Sequence, residues 1–145
     1  MLRVVLDTNV FISSLLVKDG APAKVLDAWR DRHFLLIVSP AIVTEIAATL
    51  RYPRIRRRYN VSEEDVQGLL DLVERDALLV PGEAEVTGAV PDDPADEMVL
   101  ACAVDGRSDL IVSGDHHLLE LGGYLGIEIL SVREFSERLD KEAGS

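Results

Sequence analysis

One cysteine, Cys102, stands in 145 residues, so the fold has no intramolecular disulfide available to it. Its neighbours Val99, Leu100, Ala101, Ala103 and Val104 mark it as a small buried hydrophobe, and no chemical role is assigned to it. Long apolar runs are missing as well. None approaches the roughly 18 residues that cross a bilayer, and no basic leader precedes an apolar segment. These absences predict a cytoplasmic protein without membrane contact. Nor is there a linker, repeat or low-complexity stretch, so residues 1–145 are expected to form one domain. Its 48% hydrophobic content suffices to bury roughly two-thirds of the unfolded surface. Positive charge is the remaining shortage: 26 acidic residues face 15 basic ones, and the net charge of -11 argues against binding nucleic acid through the whole surface. One basic island breaks this pattern, formed by Arg51, Arg54, Arg56, Arg57 and Arg58 and flanked by Tyr52 and Tyr59.

What the chain does have is alternation. Residues 2–7 read as a short apolar strand, followed by a helix around 9–17 and another opened by Pro22. Residues 34–38 are a continuous apolar run, as in a strand covered on both faces. Ser39 then supplies an N-cap and Pro40 a first helical residue. A short basic helix is expected over 53–59, an amphipathic helix capped by Ser62, and a third strand over 77–80 ended by Pro81-Gly82. A polar loop over 83–93 leads to a helix from Pro94, a strand over 109–113 and a short helix over 118–121. A strand over 127–130 follows, then a last helix opened by the capping box Ser131 to Glu134. Strands alternating with helices imply an α/β fold whose parallel sheet carries helices on both faces.

Two of these strands end on acids. Leu6-Asp7 closes the first and Ser113-Gly114-Asp115 follows the strand over 109–113, and in open α/β sheets the carboxyl ends of the strands face the ligand crevice. Asp115 also fits an N-cap before His116-His117-Leu118, with the two histidines expected as exposed loop residues. Asp7 is harder to explain by capping, because Thr8 and Asn9 can cap the next helix themselves. Asp96 shares its helix face with Val99, Leu100 and Ala103, although with Asp93 as N-cap it also fits a capping acid in the first turn. Glu45 lies beside the stripe of Ile42, Val43, Ile46, Ala47 and Leu50, as a solvated glutamate does. Only a helix start near the strand ends brings it towards the other three. Four acids meeting there without a lysine would repel, and Mg²⁺ or Mn²⁺, which favour carboxylate and water oxygen, resolve that repulsion.

Four segments in this order resemble the PIN domain family: residues 6–10, 39–46, 91–103 and 110–115. The resemblance covers nearly the whole chain and is closest to bacterial and archaeal toxins of toxin–antitoxin pairs, relatives of VapC. It implies a three-layer α/β/α domain with a parallel sheet of about five strands, and a metal-dependent ribonuclease with Mg²⁺ or Mn²⁺ as cofactor. Carried over by position, the catalytic acids are Asp7, Glu45, Asp96 and Asp115. Asp7, Asp96 and Asp115 would hold metal, with Thr8, Asn9, Asp93 and Ser113 in support. RNA is the implied substrate, drawn in by Arg54, Arg57 and Arg58 while Tyr52 or Tyr59 stacks on a base. A solvated helix face with inward-packed tyrosines is the plainer alternative for that island. A cognate antitoxin and a homodimer are the implied protein partners.

Other readings meet specific obstacles. A haloacid-dehalogenase-like phosphatase needs an Asp two positions after Asp7, where Asn9 stands. A receiver domain needs a lysine after its last strand, but the chain's lysines are Lys18, Lys24 and Lys141. A non-catalytic PIN-fold module that binds a protein partner, and a PIN nuclease of RNA processing without an antitoxin, stay open.

Overall fold

The computed structural model of the chain describes residues 1–86 and 94–143. Its central strand is β1 (Arg3–Leu6), paired in parallel with β2 (Leu35–Val38) on one side and β4 (Leu110–Val112) on the other. β3 (Leu78–Leu79) extends the sheet beyond β2 and β6 (Ile127–Leu130) beyond β4, both in parallel. A two-residue strand, β5 (Gly123–Tyr124), pairs antiparallel with β6 and completes the order β3-β2-β1-β4-β6-β5. The expected α/β architecture is present, and the sixth strand is an addition to it. It arises because Leu125 and Gly126 both take positive φ, 49° and 83°, the geometry of a tight two-residue hairpin. The third strand keeps only two of its four expected residues and exposes both leucines, as an edge with one neighbour allows.

The helices are α1 (Thr8–Leu16), α2 (Ala21–Arg30), α3 (Pro40–Leu50), α4 (Pro53–Tyr59), α5 (Glu63–Asp76), α6 (Pro94–Asp105), α7 (His116–Leu121) and α8 (Val132–Ala143). Local chemistry explains several of their starts. Pro22, Pro40 and Pro53 occupy first-turn positions, where the missing N–H costs nothing. The Ser39 hydroxyl accepts from the Ile42 amide at 3.3 Å, and Ser62 with Asp65, and Ser131 with Glu134, form reciprocal capping boxes. Two starts differ from expectation. The helix after β1 begins at Thr8, which puts Asp7 rather than Thr8 or Asn9 in the capping position. The one after β4 begins at His116, because the Asp115 carboxylate accepts from the His117 amide at 2.8 Å.

Packing then fixes the sheet. Val4, Val5, Leu6, Ile37, Ile111 and Val112 are fully excluded from water, each stabilising the fold by roughly 1.5–3 kcal/mol relative to exposure. Phe34 meets Phe135 of α8 edge-to-face with ring centroids 5.2 Å apart, and α6 packs on β1, β2 and β4. Because β1 and β4 are parallel neighbours, their carboxyl ends share one edge of the sheet. Among the described residues no helix is long and apolar enough to cross a membrane.

Candidate functional site

Asp7 follows β1 directly and is 7% exposed, an unusual depth for an aspartate. It stands where a helix cap would, yet its carboxylate makes no capping hydrogen bond. Instead its Oδ2 accepts from the Ser113 hydroxyl at 2.6 Å. Ser113, fully buried at the end of β4, also accepts from the Asp115 amide at 2.9 Å, so one hydroxyl ties the two strand ends together. Burial raises the Asp7 pKa above the 3.8 of an ordinary aspartate, opposed by the Ser113 hydrogen bond and the Thr8 amide, with Asp115 adding a smaller repulsion. Burial rather than the neighbouring Asp115 charge is the larger cause of the shift.

The other acids are placed unequally. Asp115 is partly buried beside Ser113, with Oδ1 engaged as the cap of α7. Asp96 is 2% exposed in the first turn of α6, the helix that packs on β1 and β4. Glu45 is exposed in mid-α3, and Asp93 lies outside the described residues. Among the described residues no three His, Cys, Asp or Glu side chains are gathered closely enough to hold a metal. The structure thus joins Asp7 to Asp115 through Ser113, buries Asp96 and leaves Glu45 on the surface. Thr8 is buried, its hydroxyl without a partner among the described residues, whereas Asn9 is exposed. His116 and His117 are exposed, their rings 4.1 Å apart, but lie in the first turn of α7 rather than in a loop. Cys102 is buried and inert, its thiol pushed up to about 12 by desolvation.

The basic island is α4, a seven-residue helix with no fully buried side chain. Pro53 opens it, and Asn60 closes it in the left-handed conformation. Glu63 at the start of α5 pins it by pairing with Arg51 at 2.8 Å and Arg56 at 3.3 Å. Arg54, Arg57 and Arg58 are exposed on one face, three and four residues apart. Tyr52 and Tyr59, spaced close to two turns, fall on the opposite stripe with Ile55 and Arg56. They are nonetheless 55% and 42% exposed, so they do not pack inward, and the Arg58 guanidinium lies 5.5 Å from the Tyr59 ring centre.

Sequence reasoning missed a groove of about 640 Å³ between α1, α2 and α5, with Leu15, Leu26, Leu69 and Leu72 in its lining and Lys18 and Arg30 among its charges. Gly68 borders it and has nothing within 4 Å of where a Cβ would stand. An isolated glycine in an amphipathic helix was the available signal, since it weakens the helix without a local reason.

Comparison with known proteins agrees with this architecture. The chain is 28% identical over 148 residues to the uncharacterized protein MJ1680 of Methanocaldococcus jannaschii, an alignment covering 97% of this chain and 93% of that one. A solved structure, VapBC2 from Rickettsia felis bound to a DNA fragment from its promoter, superposes with a TM-score of 0.60 at 10% identity, covering 89% of this chain and 98% of the matched one. That likeness is one of fold. Residues 3–117 match the PIN domain, and with the parallel sheet and the Asp7–Ser113–Asp115 arrangement at its edge, the chain belongs to the PIN domain family.

Proposed function

We propose that the chain is a metal-dependent ribonuclease that hydrolyses RNA phosphodiester bonds in the cytoplasm, as the toxin of a toxin–antitoxin pair. The observation that carries the reading is the buried Asp7 carboxylate, bridged by Ser113 to Asp115 at the carboxyl ends of neighbouring strands. The donors fit Mg²⁺ or Mn²⁺. They are hard oxygens, one of them the buried Asp7 carboxylate, and Mg²⁺ needs only one or two direct carboxylates because it keeps its waters. Asp7 and Asp96 would hold the ion, with Asp115 as a direct or water-mediated ligand and Asp93 as an outer acid. When bound, the ion lowers the pKa of a coordinated water and offsets charge on the phosphate. Ser113 holds the Asp7 carboxylate in orientation, and Glu45 would hold a second ion or orient the attacking water. The free arginines of α4 pair with phosphates, while Tyr52 or Tyr59 stacks on an unpaired base.

Cleavage of single-stranded and structured RNAs with Mg²⁺ or Mn²⁺, beside a chelated control, tests the reading. Loss of cleavage on chelation supports it, and cleavage that survives chelation sinks it.

The groove favours a second role, capture of a partner. VapBC2 is a two-protein complex, and a groove that sets leucines among charges of both signs suits an amphipathic antitoxin segment. Gly68→Trp should block such a partner and spare metal binding. A homodimer is the expected state of the free chain, which sedimentation would test. A groove variant that loses its partner while the intact chain never cleaves RNA would favour the non-catalytic alternative.

A further inference from the structure

The groove between α1, α2 and α5 has the form of a trough. Glu64, Gly68, Asp71 and Arg75 line it at spacings of three and four residues, so one face of α5 runs along it for about 16 Å, at 1.5 Å per residue. Ala23, Leu26 and Arg30 repeat the same spacing on α2. Pockets for small ligands reach this volume too, but helical walls of this length match a helix laid lengthwise. Gly68 stands at the centre of the α5 face. A glycine inside an exposed helix is unfavourable relative to alanine, and among the described residues nothing lies within 4 Å of where its Cβ would stand. Packing within the chain therefore does not require it. Its effect is to leave room for a bulky side chain from outside, beside the half-buried Leu15, Leu69 and Leu72.

The charges are sorted across the trough. The α5 wall carries Glu64, Asp65 and Asp71, and its one cation, Arg75, is paired with Asp76 at 3.1 Å. On the α1 and α2 side stand Lys18 and Arg30, with Asp27 as the single acid. Both cations are exposed, and neither is in an ion pair among the described residues. An occupant with one sign of charge on both of its flanks would be repelled by one of these walls. The net charge of -11 favours any basic partner, whereas the walls favour one that carries both signs.

Resting on the partner-capture reading above, we propose that the groove takes an amphipathic helix of about three turns from another protein, with basic residues along one flank of its apolar stripe and acidic residues along the other. The basic flank lies against α5, the acidic flank against Lys18 and Arg30, and a large apolar side chain fills the space over Gly68. Turning such a helix end for end exchanges its flanks, so the two walls also fix the direction in which it lies.

Three synthetic helical peptides with the same leucine stripe test this. One carries lysines on one flank and glutamates on the other, one lysines on both, and one glutamates on both. Fluorescence anisotropy with the full chain reads affinity. The split peptide should bind wild type roughly fivefold or more tighter than either of the others, and the margin should shrink as salt is raised. Lys18→Glu combined with Arg30→Glu should move the preference to the all-lysine peptide. Gly68→Trp should weaken the split peptide while the chain stays folded by circular dichroism. If wild type binds the all-lysine peptide as tightly as the split one, or the double charge reversal leaves the preference unchanged, the proposal is overturned and the capture reading rests on the leucines alone. If no peptide binds wild type, or Gly68→Trp leaves binding intact, the capture reading falls as well. Should Gly68→Trp turn a dimer of the free chain into a monomer, a second copy fills the groove and the proposal is overturned by that result.

Discussion

The strand-edge site and the α4 island are built by opposite means. Asp7, Ser113 and Asp96 are buried at the ends of elements whose backbones the sheet and core hold in place. Arg54, Arg57 and Arg58 stand on a seven-residue helix that buries no side chain fully and depends on its caps and on Glu63. Burial provides fixed geometry and a perturbed carboxylate. Exposure provides long cations whose positions the fold does not fix. The difference means that the proposed chemistry and the proposed capture can be tested separately by mutation.

The sharpest separation should come from the acids. Asp7→Asn or Asp96→Asn is expected to lower cleavage by at least about 100-fold and to remove most Mn²⁺ binding while RNA affinity persists. Calorimetric titration and RNA binding measured on the same preparations would check it, and unchanged ion affinity in both variants refutes the assignment.

Next in size is the island. Replacing Arg54, Arg57 and Arg58 together by Ala should weaken RNA binding and reduce the salt slope by roughly 2, at about 0.7 per lost phosphate contact on a single strand. Cleavage should fall more at limiting RNA than at saturation, with Mn²⁺ affinity intact. An unaltered slope would make the island a solvated or protein-binding face and erase the comparison.

A smaller effect separates the two regions by pH. Folding raises the Asp7 pKa, so the folded chain binds a proton more readily than the unfolded one. Ionised Asp7 therefore destabilises the metal-free fold, and that penalty is lost as pH falls through the raised value towards the ordinary 3.8. Thermal melts without metal should rise over that window, and Asp7→Asn should abolish the rise. At neutral pH, adding Mg²⁺ should raise the melt of the wild-type chain.

The smallest change is expected at Glu63. Its pairs with Arg51 and Arg56 are 37–52% exposed, so Glu63→Gln should cost no more than about 0.5 kcal/mol on denaturant unfolding. A loss well above that would mean the island is anchored more firmly than its exposure implies.

Much of this was legible in the sequence where one local signal decides the outcome. The strand ends at Asp7 and Ser113, the Ser39-Pro40 start and the bounds of α4 follow from apolar runs, caps and proline. Hidden were features set by neighbours distant in the chain. The Ser113 hydroxyl reaches Asp7 across 106 residues, whereas the exposure of Glu45 was already legible from its place beside the apolar stripe of α3. The β5 hairpin was missed because Leu125 takes a left-handed conformation in which glycine or asparagine is the usual occupant. The tyrosines were expected to accompany the arginines, but seven-residue spacing sets them on the opposite stripe.

Cys102 has a practical consequence. With its thiol pushed up to about 12 and buried besides, Cys102 presents almost no thiolate to reagents near neutral pH. A cysteine introduced on the outer face of α4 would then be the one site open to maleimide chemistry, without removing the native residue. A fluorophore placed there would report whether RNA reaches α4.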